Sequence, residues 1–525
     1  MLIENLIFWP LYIALWAAVV RYDVHMFQHN SYRVERYGRW FRSGHKFLRA
    51  AVTAALAVLG AVAVLGAVGN PAFWGFSAVL MGVMAWRELR TVYKKPIVYT
   101  MRVKRLLLTA ALLTAAAVAA AAIYLPTYVY AVALALLVMP VVMLAANLVN
   151  KPLEAAITRW YYNDAKRILR SMPDLKIIGI TGSFGKTSTK HYLYRILAER
   201  YNVVMTPGNF NTTLGVVRTV REHLKPHHQV FIVEMGAKQR GDIREICDLV
   251  RPTIGIVTAV GEMHLETFGS IEGVRSTKFE LLEALPKDGF GVVNLDSEAV
   301  AEGPMPQNCH IISYGINNPK ADYRATQIDY TPSETTFAVE REGALREGYT
   351  THLAGRGNIL NLLAATAVAD ALKVPEAQQK RAMRQIEQIE HRLSIKRTAG
   401  GITIIDDAYN SNPQGAAMAL EVLSDFRRPT GARRIVVTPG FVEMGESQYR
   451  NNKALGEGIA SAADIAIVVN RVNRDAIVEG LAAKGFPEER IIRADSFAEA
   501  SAYLARTMRG GDVVLYENDL PDSFK

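Results

Sequence analysis

The sequence predicts a multi-domain chain: an N-terminal α-helical transmembrane region, then an α/β P-loop domain, then a Rossmann-like α/β domain. Three observations predict it. Long apolar runs crowd the residues before about 150. A β-branched strand leads into a glycine-containing loop and a helix at 176–197. From about Leu393 onward, strand-like and helix-like segments alternate. The 525 residues suffice for several domains.

Composition narrows the function classes. Hydrophobic residues make up 50% of the chain, and the excess lies in the first third. Cys247 and Cys309 have no neighbours at metal-ligand spacing, which argues against a disulfide framework or a zinc site. The formal net charge of +10 sits largely beside the apolar runs, which directs it to a membrane surface and away from nucleic acid.

Within residues 1–150 five apolar spans are expected: Leu2–Val20, Phe47–Leu65, Ala72–Trp86, Leu106–Tyr124 and Tyr128–Leu148. Most approach the ~20 residues that a helix needs to cross hydrocarbon, and the third is the shortest. Small residues dominate two of them, which suits close helix packing in lipid. The start "MLIEN" lacks the basic residues of a cleavable signal. The connections 21–46 and 87–105 are rich in Arg and Lys, whereas "GNPA" and "YLPT" carry no charge. The positive-inside rule therefore places both basic loops, and everything after about Asn150, in the cytoplasm of a multi-pass cell-membrane protein. Residues 151–175 have basic and aromatic residues interleaved at helical spacing and read as a juxtamembrane linker helix, with or without a lipid role.

"KIIGI" is a short strand, "TGSFGKTS" a loop of small residues and "TKHYLYRILAER" a helix. Small residues let backbone N–H groups curl around phosphate, and the helix N-terminus adds positive potential. Gly182, Ser183, Gly185, Lys186, Thr187 and Ser188 are the expected nucleotide cradle, with Lys186 on the β/γ-phosphates and the Thr187 hydroxyl on magnesium. The general pattern G-x-x-x-x-G-K-[ST] places Gly at position 180, where this chain has Ile180. The loop fits TG-[ST]-x-GK-[ST]-[ST] instead.

That variant, followed in order by "TPGNFNTTLGVVRTV", "VFIVEMGAKQRGDI", "PTIGIVTAVGEMHLETFGS", "EGVRSTKFELLEAL", "GRGNILNLLAATAVADAL" and "IIDDAYNSNPQGAAMAL", resembles the Mur ligase family, and within it the MurF type, over roughly Lys176–Val514. The resemblance implies a central ATP-binding domain at 176–392 and a C-terminal domain at 393–525. It also implies ATP and Mg2+ as cofactors and an amide bond made through an acyl phosphate. On that basis Lys186, His264 and Lys278 are catalytic, and Lys278 matches a lysine carbamylated in several members. Thr187, Glu234 and His264 hold metal; Asn209, Asn211 and Thr212 face the substrate; Asn358 and Asn361 face the adenine. Arg392 and Asp407 reach ATP from the C-terminal side.

The sequence departs from the MurF type where the amine is read. "PGFVEMG" replaces a GDM-x-ELG motif, Asn452 stands where a His is expected, and "YENDLPD" replaces a closing KGS, which turns a basic loop acidic. The family's UDP-gripping N-terminal domain has no counterpart here, and the apolar spans stand in its place. The leading reading is a membrane-anchored ATP-dependent ligase that adds an amino acid or dipeptide, D-alanyl-D-alanine by resemblance, to a peptidoglycan precursor. Its partners are a cell-wall precursor, that amine and membrane lipid, with no nucleic acid. A ligase of the same fold with a lipid-linked or polyglutamate-type acceptor, and a non-catalytic cell-wall scaffold, stay open.

Overall fold

The computed structural model describes residues 2–30, 32–42, 71–91, 96–124, 139–261, 265–330, 334–389, 391–408, 412–426, 428–442 and 444–519. They form two compact units, Met1–Trp160 and Tyr161–Lys525.

Among the described residues the first unit is helical: α1 (Leu2–His29), α2 (Val34–Arg42), α3 (Pro71–Arg90), α4 (Met101–Tyr124) and most of α5 (Met139–Arg170). The expected spans Leu2–Val20, Ala72–Trp86 and Leu106–Tyr124 fall inside α1, α3 and α4. The span Phe47–Leu65 and the start of Tyr128–Leu148 lie outside the described residues. One stretch, Met101–Ala120 of α4, is long and apolar enough to cross a membrane by length and composition. Val103, Leu106 and Ala110 of α4 bury against Val24 and Phe27 of α1 and Met139 and Met143 of α5. Leu108 and Leu112, one turn apart on α4, are exposed. The Arg21 guanidinium donates to the carbonyls of Glu88 (3.0 Å) and Leu89 (2.6 Å), neutralising the negative end of α3.

Residues 151–170 of the expected linker helix are helical. No break separates residues 139–150 from 151–170, because α5 runs 32 residues straight through Pro152. Proline removes one N–H from the ladder, and the residues on either side hold the helix.

The second unit carries two sheets. The larger has nine strands in the order β2-β3-β1-β4-β5-β6-β7-β8-β9. Its labels follow the chain: β1 (Lys176–Thr181), β2 (Val203–Met205), β3 (Val230–Glu234), β4 (Ile254–Val257), β5 (Phe290–Asn294), β6 (His310–Gly315), β7 (Tyr323–Tyr330), β8 (Thr335–Arg341) and β9 (Ala344–Thr351). Pairing is parallel up to β7 and antiparallel beyond it. Every residue of β3 and β4 is buried, as continuous apolar runs in a parallel sheet covered on both faces require. On one face α6 (Lys186–Leu197) packs with the helix Arg356–Ala371, whose apolar residues are buried nearly all round.

The smaller sheet has the order β10-β11-β15-β12-β13-β14, from β10 (Ser394–Arg397), β11 (Thr403–Asp407), β12 (Arg434–Thr438), β13 (Ile465–Val469), β14 (Ile491–Ala494) and β15 (Val513–Glu517). All pairs are parallel except β10 with β11, so this is the expected doubly wound C-terminal domain with one antiparallel edge strand. Its helices Gln448–Ala462 and Arg474–Ala483 touch backbone to backbone. A Cβ on Gly480 would lie 2.0 Å from the Lys453 carbonyl oxygen. Gly480→Ala is therefore expected to destabilise the protein by about 1–3 kcal/mol through overpacking that rigid backbone cannot relieve. Gly400→Ala, whose nearest neighbour is 3.9 Å away, is expected to change stability little. Urea denaturation of both variants checks this.

Candidate active site

The site forms at the carboxyl ends of the central strands. β1 leads into the loop 182–185, and α6 begins at Lys186. Gly182 has φ +151, and a Cβ there would lie 2.0 Å from the Thr258 hydroxyl oxygen, so only glycine lets the loop sit this close to the end of β4. Ser183 pins the loop from the other side. Its N–H donates to the Ala259 carbonyl (2.7 Å), and its hydroxyl pairs with the Gly261 carbonyl (3.1 Å) and N–H (3.0 Å). The Ser183 side chain, expected on the nucleotide, is thus engaged in holding the loop. The buried Ser188 lies on the first turn of α6.

Lys186 folds back over this loop. Its ammonium donates to the carbonyls of Gly182 (2.6 Å) and Ser183 (3.1 Å). Dehydration brings the group down to about 8, Arg392 pushes the same way and Glu234 opposes them. One residue on, the Thr187 hydroxyl lies 3.1 Å from both carboxylate oxygens of Glu234.

Glu234 ends β3 and is buried. Burial alone would raise its carboxyl, but Lys190 and Lys186, with hydrogen bonds from Lys190 and Asn211, hold it below the usual carboxylate range. Lys190 is the functional neighbour that sequence reasoning missed. Its ammonium, fully buried, lies 2.9 Å from Glu234 Oε2 and donates to the Gly208 carbonyl at 2.6 Å. Lys190 follows Lys186 by one helical turn, which puts both cations on one face but does not tell a buried lysine from a solvated one.

Asn211 donates to Glu234 Oε1 (3.3 Å), so one of the three residues expected to face substrate reaches the buried carboxylate. Thr212 caps the helix Thr213–Glu222 by accepting the Gly215 N–H at 3.3 Å. The Asn209 carbonyl accepts the Asn211 N–H at 2.8 Å, which tightens the same segment.

The two asparagines expected at the adenine part company. Asn361 receives the Thr189 hydroxyl (3.1 Å) and sits against Gly185, beside the nucleotide loop. Asn358 is buried, accepts the Tyr192 hydroxyl (2.7 Å) and donates to the Ala354 carbonyl (2.7 Å). At the C-terminal side, Asp407 ends β11 and accepts the Leu393 N–H at 3.0 Å; dehydration lifts its carboxyl to about 6 against the pull of Arg392. His264 lies outside the described residues.

The residues present suit magnesium. Among the described residues no three His, Cys, Asp or Glu converge. The donors are one carboxylate and one hydroxyl, both hard oxygens, and magnesium is content with few protein ligands where phosphate and water complete its shell. Lys278 lies buried on the helix Ile271–Glu283. Dehydration, then the Lys186 charge, bring its amine down to about 7, against Asp242 and Glu280.

This gives a stability prediction with a definite sign. A lysine depressed to about 7 stays protonated in the unfolded chain up to its ordinary pKa, so folding becomes more favourable as pH rises above about 7. Lys278→Met, of similar volume, removes the buried charge. In CO2-free, ligand-free buffer it is expected to raise the unfolding temperature by several degrees at pH 6.5, with the gain shrinking by pH 9. Thermal scans at the two pH values read it.

Two family models match the chain, the Mur ligase middle domain over residues 180–369 and the Mur ligase, glutamate ligase domain over residues 391–516. The UDP-N-acetylmuramoyl-tripeptide–D-alanyl-D-alanine ligase of Mycobacterium tuberculosis is 32% identical over 363 residues, covering 65% of this chain and 70% of that protein. Among solved structures, MurF from Acinetobacter baumannii is 25% identical with a TM-score of 0.60, over 68% of this chain and 76% of that one. The MurF ligase of Thermotoga maritima, solved in complex with ADP, shares the fold at 24% identity and TM-score 0.60, over 69% of this chain and 80% of that one. With the phosphate loop, the buried carboxylate and the two α/β domains in this order, the chain belongs to the Mur ligase family, its similarity running to the MurF type.

Proposed function

We propose that the protein is a membrane-anchored MurF-type ligase that joins D-alanyl-D-alanine to a UDP-N-acetylmuramoyl-tripeptide at the cytoplasmic membrane face. The family chemistry is an ATP-dependent, ADP-forming C–N ligation with magnesium. The observation that carries the reading is the convergence of Thr187, Lys190 and Asn211 on Glu234 beside the Lys186 loop. A non-catalytic scaffold has no use for a carboxylate kept charged in a buried site.

The acceptor carboxylate and the triphosphate repel each other, so positive charge must stand between them. Magnesium supplies Lewis-acid charge there when bound, held by Thr187 and Glu234. Lys186 neutralises the phosphates and stays close to the loop that cradles them. The acceptor carboxylate attacks the terminal phosphorus and ADP leaves. The amine then attacks the acyl phosphate and phosphate leaves. A pKa of about 7 leaves much of the Lys278 amine neutral under ordinary conditions; as a neutral amine it could add CO2, with release of one proton, to give the carbamate that the family resemblance implies. Arg392 and Asp407 approach the nucleotide from the C-terminal domain.

Membrane anchoring rests on the first unit. Its helix Met101–Tyr124 has the length and composition of a span, and its Leu108, Leu112 and Ile123 are exposed. One observation favours a second reading of the amine. Asn452 is fully buried and spends its amide on the Phe441 N–H (2.8 Å), the Phe441 carbonyl (3.0 Å) and the Gln448 carbonyl (2.8 Å). It shapes the loop after β12 and has no donor left for a substrate, so the same ligase chemistry with a different incoming amine is the alternative.

The deciding experiment is phosphate release by purified full-length protein, screened with UDP-linked and lipid-linked precursors and several amines. Release with the UDP-linked tripeptide and D-alanyl-D-alanine supports the proposal; release only with other pairs overturns the substrate assignment. Lys186→Ala is expected to slow release by at least ~10²-fold, as the loss of one preorganised cationic donor does. For topology, a reporter fused after Lys525 is expected to read cytoplasmic and one at Gly69 external; cleavage of the C-terminal domain by protease added outside intact cells contradicts the orientation.

A further inference from the structure

We infer that Lys190 is a positioning residue that ties the segment 206–212 to the metal-binding carboxylate, so that filling the metal site and fixing that segment are one event. This rests on the assignment of Glu234 and Thr187 to magnesium.

The ammonium of Lys190 is wholly enclosed and donates to two acceptors from different parts of the chain. One is Glu234 Oε2 at 2.9 Å, and the other is the Gly208 carbonyl at 2.6 Å. Gly208 lies in the connection between β2 and the helix Thr213–Glu222, on the carboxyl edge of the sheet. That connection is joined to the same strand end by three further contacts, one of them the Asn211 side-chain amide donating to Glu234 Oε1 at 3.3 Å. Thr206 accepts the Glu234 N–H at 3.1 Å, and the Asn211 carbonyl accepts the Gly236 N–H at 2.7 Å. Between those two anchors, Gly208 is held by the lysine.

A buried ammonium shared between an anion and a neutral carbonyl is sensitive to the anion's charge. A divalent cation on the Thr187 side of Glu234 draws on the carboxylate and repels the ammonium. Lys190 then shifts its hydrogen bonding toward the Gly208 carbonyl and holds that segment to α6. With the metal absent, the Lys190 ammonium is the cation in direct contact with Glu234. The residue thus serves the empty and the filled site differently, and segment 206–212 moves with the difference.

Hydrogen–deuterium exchange on the purified full-length protein tests this, with ADP plus Mg2+ against ADP plus EDTA. Amides of 208–212 are expected to exchange at least about tenfold more slowly with the metal present. Lys190→Met, which loses both charge and donor, is expected to abolish that difference and to lower the Mg2+ concentration giving half-maximal ADP binding, since the carboxylate loses a competing cation. Lys190→Gln, which keeps a donor for Gly208 without the charge, is expected to protect the segment without responding to metal. Equal exchange in the wild type with and without metal overturns the inference, as does a folded Lys190→Met variant that keeps the full metal response. If the Met variant fails to fold, the wild-type comparison decides alone. None of these readouts uses an acceptor or an amine, so a failed ligase assay and a failed tether are distinguishable.

Discussion

The buried carboxylate of Glu234 is the constraint around which the central domain is arranged. A charge in that position is unfavourable unless it is surrounded by donors. The chain supplies them from two elements: Thr187 and Lys190 from α6, and Asn211 from the segment after β2. Each donor is placed by an element that has its own reason to exist. β3 is buried along its whole length and carries Glu234 to the sheet edge, while α6 must start at Lys186 because the loop before it folds tightly against β4. The ionic cluster therefore fixes the register of loop, helix and strand end together.

The same logic separates the two α/β sheets. Both present strand carboxyl ends where loops can carry chemistry. The central sheet invests its edge in charge, with Lys186, Lys190 and Glu234 in mutual reach. The C-terminal sheet ends β11 on Asp407 and adds neutral amides after β12. Asn452 holds Phe441, Asn473 holds the Pro439 carbonyl (2.9 Å), and Asn518 holds the Gly440 carbonyl (2.7 Å). These asparagines clamp the loop without adding charge to it.

Much of this was legible in the chain. Strand–loop–helix at 176–197 follows from β-branched residues, small residues and helical periodicity, all local properties. The alternation after Leu393 gave the doubly wound domain for the same reason, and the order of short strings gave the family. The residue types of the candidate site were also local: a lysine and a hydroxyl at a helix start, and a carboxylate at a strand end.

What only the tertiary structure decided was partnership, because hydrogen bonds and ion pairs join residues far apart in sequence. The sequence put Asn358 and Asn361 on one helix face, but Tyr192 from α6 takes the first into the core and leaves the second beside Gly185. Ser183 and Thr212 have the right chemistry for ligands and serve as a loop pin and a helix cap, since backbone N–H groups near them need acceptors. Lys190 looked like an ordinary helix lysine until the fold buried it against Glu234, 44 residues away in the chain. Periodicity is set by neighbours along the chain and can be read from it. Burial is set by what arrives from elsewhere, and it alone turns a surface charge into a structural one.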